Sequence, residues 1–325
     1  MPFVSDIVGP QRPLAAWPPL RRGVLRRTST IDTHPDGPDS DVDLRARDAV
    51  GGEHGVLDEL RLRARLAERT IAEIDSGDAR LGRLLGKRVG PGFRTMVGEV
   101  FPDEVRRSSL LNLLLDDWVG AALVSGYAVQ HMGIVAGTEV PLPPGTADRM
   151  AGICAGFAPE ASLVRTTRRL GTIPSVHGPP APPLARDGMH DVAPLRAHGM
   201  RRLRRLDLQP PEGDSARFDA HFRDSHVDGD GVETIVHEYA LTGAVDVAAR
   251  TVTTIEAEVH VLPWQECPGA VGSAQRAVGM TLGEIRDRVR GEFVGTSTCT
   301  HLNDTLRAIG DLDALFDLRS GLDDV

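Results

Sequence analysis

Ile235-Val236-His237-Glu238-Tyr239-Ala240-Leu241 places Ile235, His237, Tyr239 and Leu241 on one face of an extended chain. Ile255, Ala257, Val259 and Val261 do the same in the next segment. A period of two is that of a half-buried strand. Further on, Leu302, Leu306, Ile309 and Leu312 recur at helical intervals behind Ser297 and Thr298, either of which suits a cap, so a helix is expected from about Cys299 to Leu315. Strand, strand and helix form one unit, and a divergent copy of that unit lies earlier in the chain. Leu25-Arg26-Arg27 recurs as Leu203-Arg204-Arg205, and Asp43 with Arg47-Asp48 recurs as Asp219 with Arg223-Asp224. Ser108-Ser109 with Leu113 recurs as Ser297-Thr298 with Leu302. Repetition of this kind predicts an α+β fold of two related antiparallel sheet-plus-helix units, residues 20–136 and 199–319. Residues 137–198 between them hold Pro141-Leu142-Pro143-Pro144 and Pro179-Pro180-Ala181-Pro182-Pro183 and read as a proline- and glycine-rich linker or insertion, with a short helix around Asp148 to Gly156.

The chain has 325 residues, 41% hydrophobic and 26% charged, enough to bury real cores. A net charge of −9 without a sustained basic run disfavours nucleic acid, whose phosphates must be neutralised, and points to a small molecule or a partner protein. Met1 to Arg12 lacks the charged start and apolar run of a signal peptide, and no segment is expected to span a membrane. Three cysteines make no disulfide framework and suit a reducing cytoplasm. Lys87 is the sole lysine among 37 basic residues, so Schiff-base and P-loop chemistry have almost no candidates. The pairs Arg26-Arg27 and Arg204-Arg205 read as solvated strand positions, and Asp116-Asp117 as water-facing or capping acids.

The second copy has what the first lacks. Leu110 and Asn112 stand where Cys299 and His301 stand, and the first copy skips the loop that holds Cys267. Thiol and imidazole in one copy only point to an added site. Cys267 sits in a turn before Pro268, which suits the first turn of a helix. Cys299 opens the next helix, where the macrodipole favours a thiolate, and His301 follows two residues on. Cys267, Cys299 and His301 make three ligands for zinc or iron, and His237, Glu238, Cys154 or water is the fourth. His237 is alternatively a hydrogen-bonded core histidine, and Cys154 a small hydrophobe. Hydrolase elbows, dinucleotide fingerprints and His-Glu-x-x-His helices do not occur.

Two resemblances join these residues. Leu115-Asp116-Asp117, Leu123-Val124-Ser125-Gly126-Tyr127, Cys154-Ala155-Gly156 and Cys299-Thr300-His301-Leu302 resemble an uncharacterised bacterial family with a domain of unknown function. From Val232 to Leu315 the chain resembles the IscU/NifU/SufU iron–sulfur scaffold fold. That likeness implies that Cys267 matches the scaffold's middle cysteine, Glu238 its essential aspartate, and Cys299 with His301 its terminal His-Cys pair. The scaffold's first cysteine falls on Val236, and its His-Cys order is Cys-x-His here. The lost thiolate moves the expectation from cluster assembly to zinc or mononuclear iron.

The function expected is a metal-dependent enzyme acting on a small organic substrate. Cys267, Cys299, His301 and Glu238 hold the metal, while His237 and Glu238 serve as catalytic groups. An iron–sulfur or metal scaffold is the runner-up, and a binding protein with structural zinc the third reading.

Overall fold

Eight strands pair in sequence order within each half of the chain. The computed structural model, which describes residues 3–52, 55–75, 77–138, 141–184 and 187–323, joins them into one antiparallel sheet. The strands are β1 (Leu25–Asp36), β2 (Asp39–Val50), β3 (Gly55–Ala67), β4 (Thr70–Asp75), β5 (Met200–Leu208), β6 (Ser215–Val227), β7 (Glu233–Asp246) and β8 (Thr251–Val261). Their spatial order is β4-β3-β2-β1-β5-β6-β7-β8. The expected α and β content is present, but not as two units across a linker: β1 and β5 pair directly, Leu25 opposite Leu208 and Thr33 opposite Met200.

Nine α-helices are found among the described residues: α1 (Phe93–Val100), α2 (Pro102–Arg106), α3 (Leu110–Val124), α4 (Gly126–Ala136), α5 (Thr146–Met150), α6 (Ser162–Leu170), α7 (Leu282–Glu292), α8 (Thr300–Ala308) and α9 (Leu312–Asp323). They build two apolar clusters on the sheet. Ile31, Leu44 and Leu62 pack with Phe93, Val97, Leu114 and Trp118; Leu206, Phe222, Tyr239 and Leu241 pack with Leu302, Leu306 and Leu315. A third cluster, Trp17, Leu184, Met189 and Leu203, brings the N-terminal segment and part of the proline-rich stretch against β5. That stretch carries α5, a single 3₁₀ turn at Ala155–Phe157, and α6. The helix α6 was not expected, because its polar SLVRTTRRL composition hides a narrow apolar face at Leu163 and Val164.

Leu110–Ala136 is long and apolar enough to cross a membrane by length and composition, against the expectation that no segment approaches that length. Within it α3 is core: nearly every residue is buried, including Asp116 and Asp117. The helix expected from Cys299 to Leu315 breaks into α8, a 3₁₀ turn at Ile309–Asp311, and α9. Its N-cap is Cys299 itself, not Ser297 or Thr298, and the thiol makes no capping hydrogen bond.

The two arginine pairs are not solvated. Arg26, Arg27, Arg204 and Arg205 are all at most 4% exposed. Their neighbours across the strands explain it, because each buried cation needs a partner charge. Arg27 faces Asp48 and Arg202 faces Asp224, with paired hydrogen bonds of 2.7–2.8 Å and 2.9–3.0 Å. On the opposite face Arg26 pairs with Asp207 at 2.7 Å. Asp116 and Asp117 complete the network from α3. Asp117 accepts from Arg204 at 2.5 and 2.7 Å and from Arg202 at 3.2 Å, while Asp116 binds Arg286 and Arg307.

Gly120 permits this approach of α3. A Cβ there would stand 1.9 Å from Arg202 Nη1 and 2.4 Å from Asp304 Oδ2. Alanine is the better helix former by about 1 kcal/mol, yet Gly120→Ala is expected to lower stability by a net of roughly 1–3 kcal/mol through overpacking. Urea denaturation checks this; an unchanged or raised midpoint would contradict so close a contact.

Candidate metal centre

The register of β6 and β7 aims the site. Asp224 faces His237, but the next pair is Ser225 with Ile235, so Val236 is an extra residue on β7. A bulge of this kind bends the strand and re-aims side chains. His237 is turned toward the start of α8, where its ring stacks on His301 at 3.5 Å between centroids and 19° between planes. Asp224 Oδ2 lies 3.5 Å from His237 Nδ1 and 3.9 Å from His301 Nε2. One ligand atom from each of the three residues lies within 4.8 Å of the others, an arrangement that can hold a metal ion.

Burial sets the charges. Asp224 is fully buried, which by itself raises a carboxyl's pKa, but Arg202 opposite it overcomes that and holds Asp224 well below the usual carboxylate range. His301 is pushed well below 6.5, first by burial and then by the neighbouring imidazole of His237. A neutral His301 imidazole beside the Asp224 carboxylate is a form that binds cations. His237 Nδ1 has no hydrogen-bond partner.

The three thiols gather beside this group. Cys299 Sγ is 4.0 Å from His301 Nδ1. Ala155 N–H donates to Thr298 O at 2.9 Å, which ties the Cys154 segment to the start of α8. Gly156 packs so closely on Cys267 that a Cβ would lie 2.7 Å from its Sγ. Cys267 begins a 3₁₀ stretch, Cys267–Ala277, with Pro268 in its first turn, as its sequence suggested. Tyr239 stands among the thiols with its hydroxyl buried, beside Cys299. The thiolate expected of Cys299 does not form at rest. Burial raises the pKa of Cys299 and Cys267 and lifts Cys154 to about 11, because desolvation outweighs the pull of a helix terminus.

Of the residues chosen from sequence, His237, His301 and Cys299 come together. Cys267 lies among the thiols, outside the three-residue ligand group. Glu238, expected as fourth ligand and general base, points to the opposite face because neighbours in a strand alternate. There it accepts from Arg223 at 2.5 Å, from Leu14 N at 2.8 Å, and contacts His221 Nε2 at 2.8 Å. Asp224 was the residue missed. Its signal was present in the repeated Arg-Asp dipeptide, Arg47-Asp48 and Arg223-Asp224, whose acids each face a buried arginine on the neighbouring strand.

Every residue of the centre and of the thiol group except Cys154 falls between β5 and α8. That stretch matches a family described as "Protein of unknown function (DUF2889)" over residues 200–314. No curated protein and no solved structure matches the chain. The matched stretch thus holds Asp224, His237 and His301, while Asp117 of α3, which accepts from Arg202 behind Asp224, lies outside it.

Proposed function

We propose that this chain is a metal-dependent enzyme acting on a small organic substrate, with a single divalent cation held by Asp224, His237 and His301. The carrying observation is the convergence within 4.8 Å of three donor groups, Asp224 and His237 buried and His301 half-buried. Two imidazoles with one carboxylate suit mononuclear iron(II) or zinc and leave coordination positions for substrate or water. Bound there, the cation would supply Lewis-acid polarisation of a substrate oxygen. The chain's own residues do the rest. Arg202 fixes both oxygens of Asp224 in place, as an outer partner orients a ligand. His301 is anchored by the first turn of α8, and the Cys299 thiol borders it at 4.0 Å.

The convergence of Cys154, Cys267 and Cys299 favours one alternative, a scaffold or carrier for a metal or iron–sulfur centre, in keeping with the resemblance of the second half to IscU. The order of strands supports descent from a duplicated unit, with Arg27–Asp48 and Arg202–Asp224 in corresponding places on either side of the β1–β5 junction. Equilibrium dialysis against zinc or iron(II) separates the enzyme and scaffold readings. His301→Ala and His237→Ala are expected to lose the bound ion while Cys267→Ser retains it. Loss in Cys267→Ser alone would transfer the site to the thiols and sink the present assignment.

A further inference from the structure

The helix α4 turns an uncharged face outward. No Asp, Glu, Lys or Arg occurs from Trp118 to Thr138. Within that run α3 packs its apolar side chains into the core, whereas α4 buries only Ala128, His131 and Ile134. Val129 is 59% exposed, Val135 68%, and Leu123 at the end of α3 57%. A surface helix ordinarily carries charged and polar residues on that side. Here Val129, Met132 and Ala136 line, with Leu142 and Ile173, an open groove of about 570 Å³.

Basic charge borders this face. The chain leaving α6 runs along α4, held by the Tyr127 hydroxyl, which donates to Val176 O at 2.8 Å, and by Gln130, which donates to Ile173 O. On α6 itself Ser162, Leu163, Val164, Thr166 and Thr167 are buried, so Arg165, Arg168 and Arg169 share the exposed side. Arg168 pairs with the exposed Asp148 at 2.8 Å, and Arg165 and Arg169 have no ion-pair partner among the described residues.

Apolar side chains bordered by arginine suit a helix lying in a bilayer surface, where the first enter the acyl boundary and the second meet lipid phosphates. Crossing the bilayer is not open to this segment. The ion pairs of Asp116 and Asp117 fix α3 in the core, and the 11 residues of α4 rise only about 16 Å against a hydrocarbon core of about 30 Å. A second copy of the chain on this face would bring two arginine faces together, which like charge opposes.

We propose that the outer face of α4, with Arg165, Arg168 and Arg169 beside it, docks the protein on the surface of an anionic lipid bilayer. The docking face is independent of the metal reading, yet it lies next to the centre. Ala128, on the inner side of α4, packs with Val124 and Val236, and Val236 is the bulge residue that precedes His237.

Full-length protein is sedimented with vesicles of phosphatidylcholine alone and with vesicles of equimolar phosphatidylglycerol and phosphatidylcholine. The wild type should bind the anionic vesicles about tenfold or more tighter than the neutral ones. Each arginine near such a surface contributes roughly a fivefold gain, so Arg165→Gln/Arg169→Gln should bind roughly 30-fold more weakly. Val129→Glu/Val135→Glu, altered only at exposed positions, should keep the wild-type thermal midpoint and stay in the supernatant. Wild type left unbound by anionic vesicles, equal binding to both kinds of vesicle, or a valine variant that binds as the wild type does would overturn the proposal. A wild-type dimer in sedimentation velocity that the valine variant abolishes, with no vesicle binding by either, would also overturn it and give the face to a second copy.

Discussion

Replacing Arg202 by alanine is expected to destabilise the protein by about 3–5 kcal/mol, the usual cost of removing one partner from a buried charge group. Arg202 is 1% exposed and binds three acids, Asp224 at 2.9 and 3.0 Å, Asp304 at 2.9 Å and Asp117 at 3.2 Å. Its guanidinium also lies 4.8 Å from the centroid of Phe222. Without it Asp224 keeps no cation at hydrogen-bond distance and remains buried, while Asp117 and Asp304 retain Arg204 and Arg94. Lysine cannot reproduce the planar fork, so Arg202→Lys should lie between the wild type and alanine. Urea denaturation at pH 7 measures both. A loss below about 1 kcal/mol for Arg202→Ala would place the pair among exposed bridges and contradict the burial described above.

A second large effect is expected from acid. His221 is fully enclosed between Trp17, whose indole N–H donates to Nδ1 at 3.0 Å, and Glu238, which meets Nε2 at 2.8 Å. That arrangement requires the neutral ring with its proton on Nε2. Burial lowers the pKa of His221 to about 4, and although Glu238 pulls it upward, Arg223 and Arg205 assist the lowering. His190, buried against Thr30, falls to about 3 for the same first reason, with Arg45 and Arg47 contributing. Each folded pKa lies below the unfolded value near 6.5. In between, the unfolded chain binds protons that the folded chain refuses. Stability is therefore fully present above pH 6.5 and declines as pH falls toward the folded values, by roughly 3 kcal/mol for His221 at 1.36 kcal/mol per unit. Below pH 4 the depressed carboxyls Asp116 and Asp224 continue the loss. The thermal midpoint should drop between pH 7 and pH 4.5, and His221→Gln should flatten that slope. A midpoint level across this range would contradict a neutral, enclosed His221.

The strands of the second half were legible because their faces differ. His237, Tyr239 and Leu241 do share one side, and Val252 and Ile255 bury while Thr253, Thr254 and Glu256 do not. The joining of both halves into one sheet was not legible, since period two marks a strand but not its neighbour, and β1 meets β5 across more than 160 residues of chain. The central strands misled for a physical reason. All nine residues of Met200-Arg201-Arg202-Leu203-Arg204-Arg205-Leu206-Asp207-Leu208 are buried, although four are arginine. Arginine reads as a surface residue until its acid is found directly opposite on another strand, as Asp224 is to Arg202 and Asp32 to Arg201. The site was half legible. His301 and Cys299 stood out because Asn112 and Leu110 stand in their places behind the earlier Ser108-Ser109, whereas Glu238 was misplaced by one position, which in a strand is the difference between two faces.

X-ray absorption at the metal edge, on protein loaded with one equivalent of zinc, tests the centre most directly. A shell of nitrogen and oxygen with imidazole scattering, lost in His301→Ala, is the predicted result. A shell dominated by sulfur would contradict it and assign the ion to Cys154, Cys267 and Cys299.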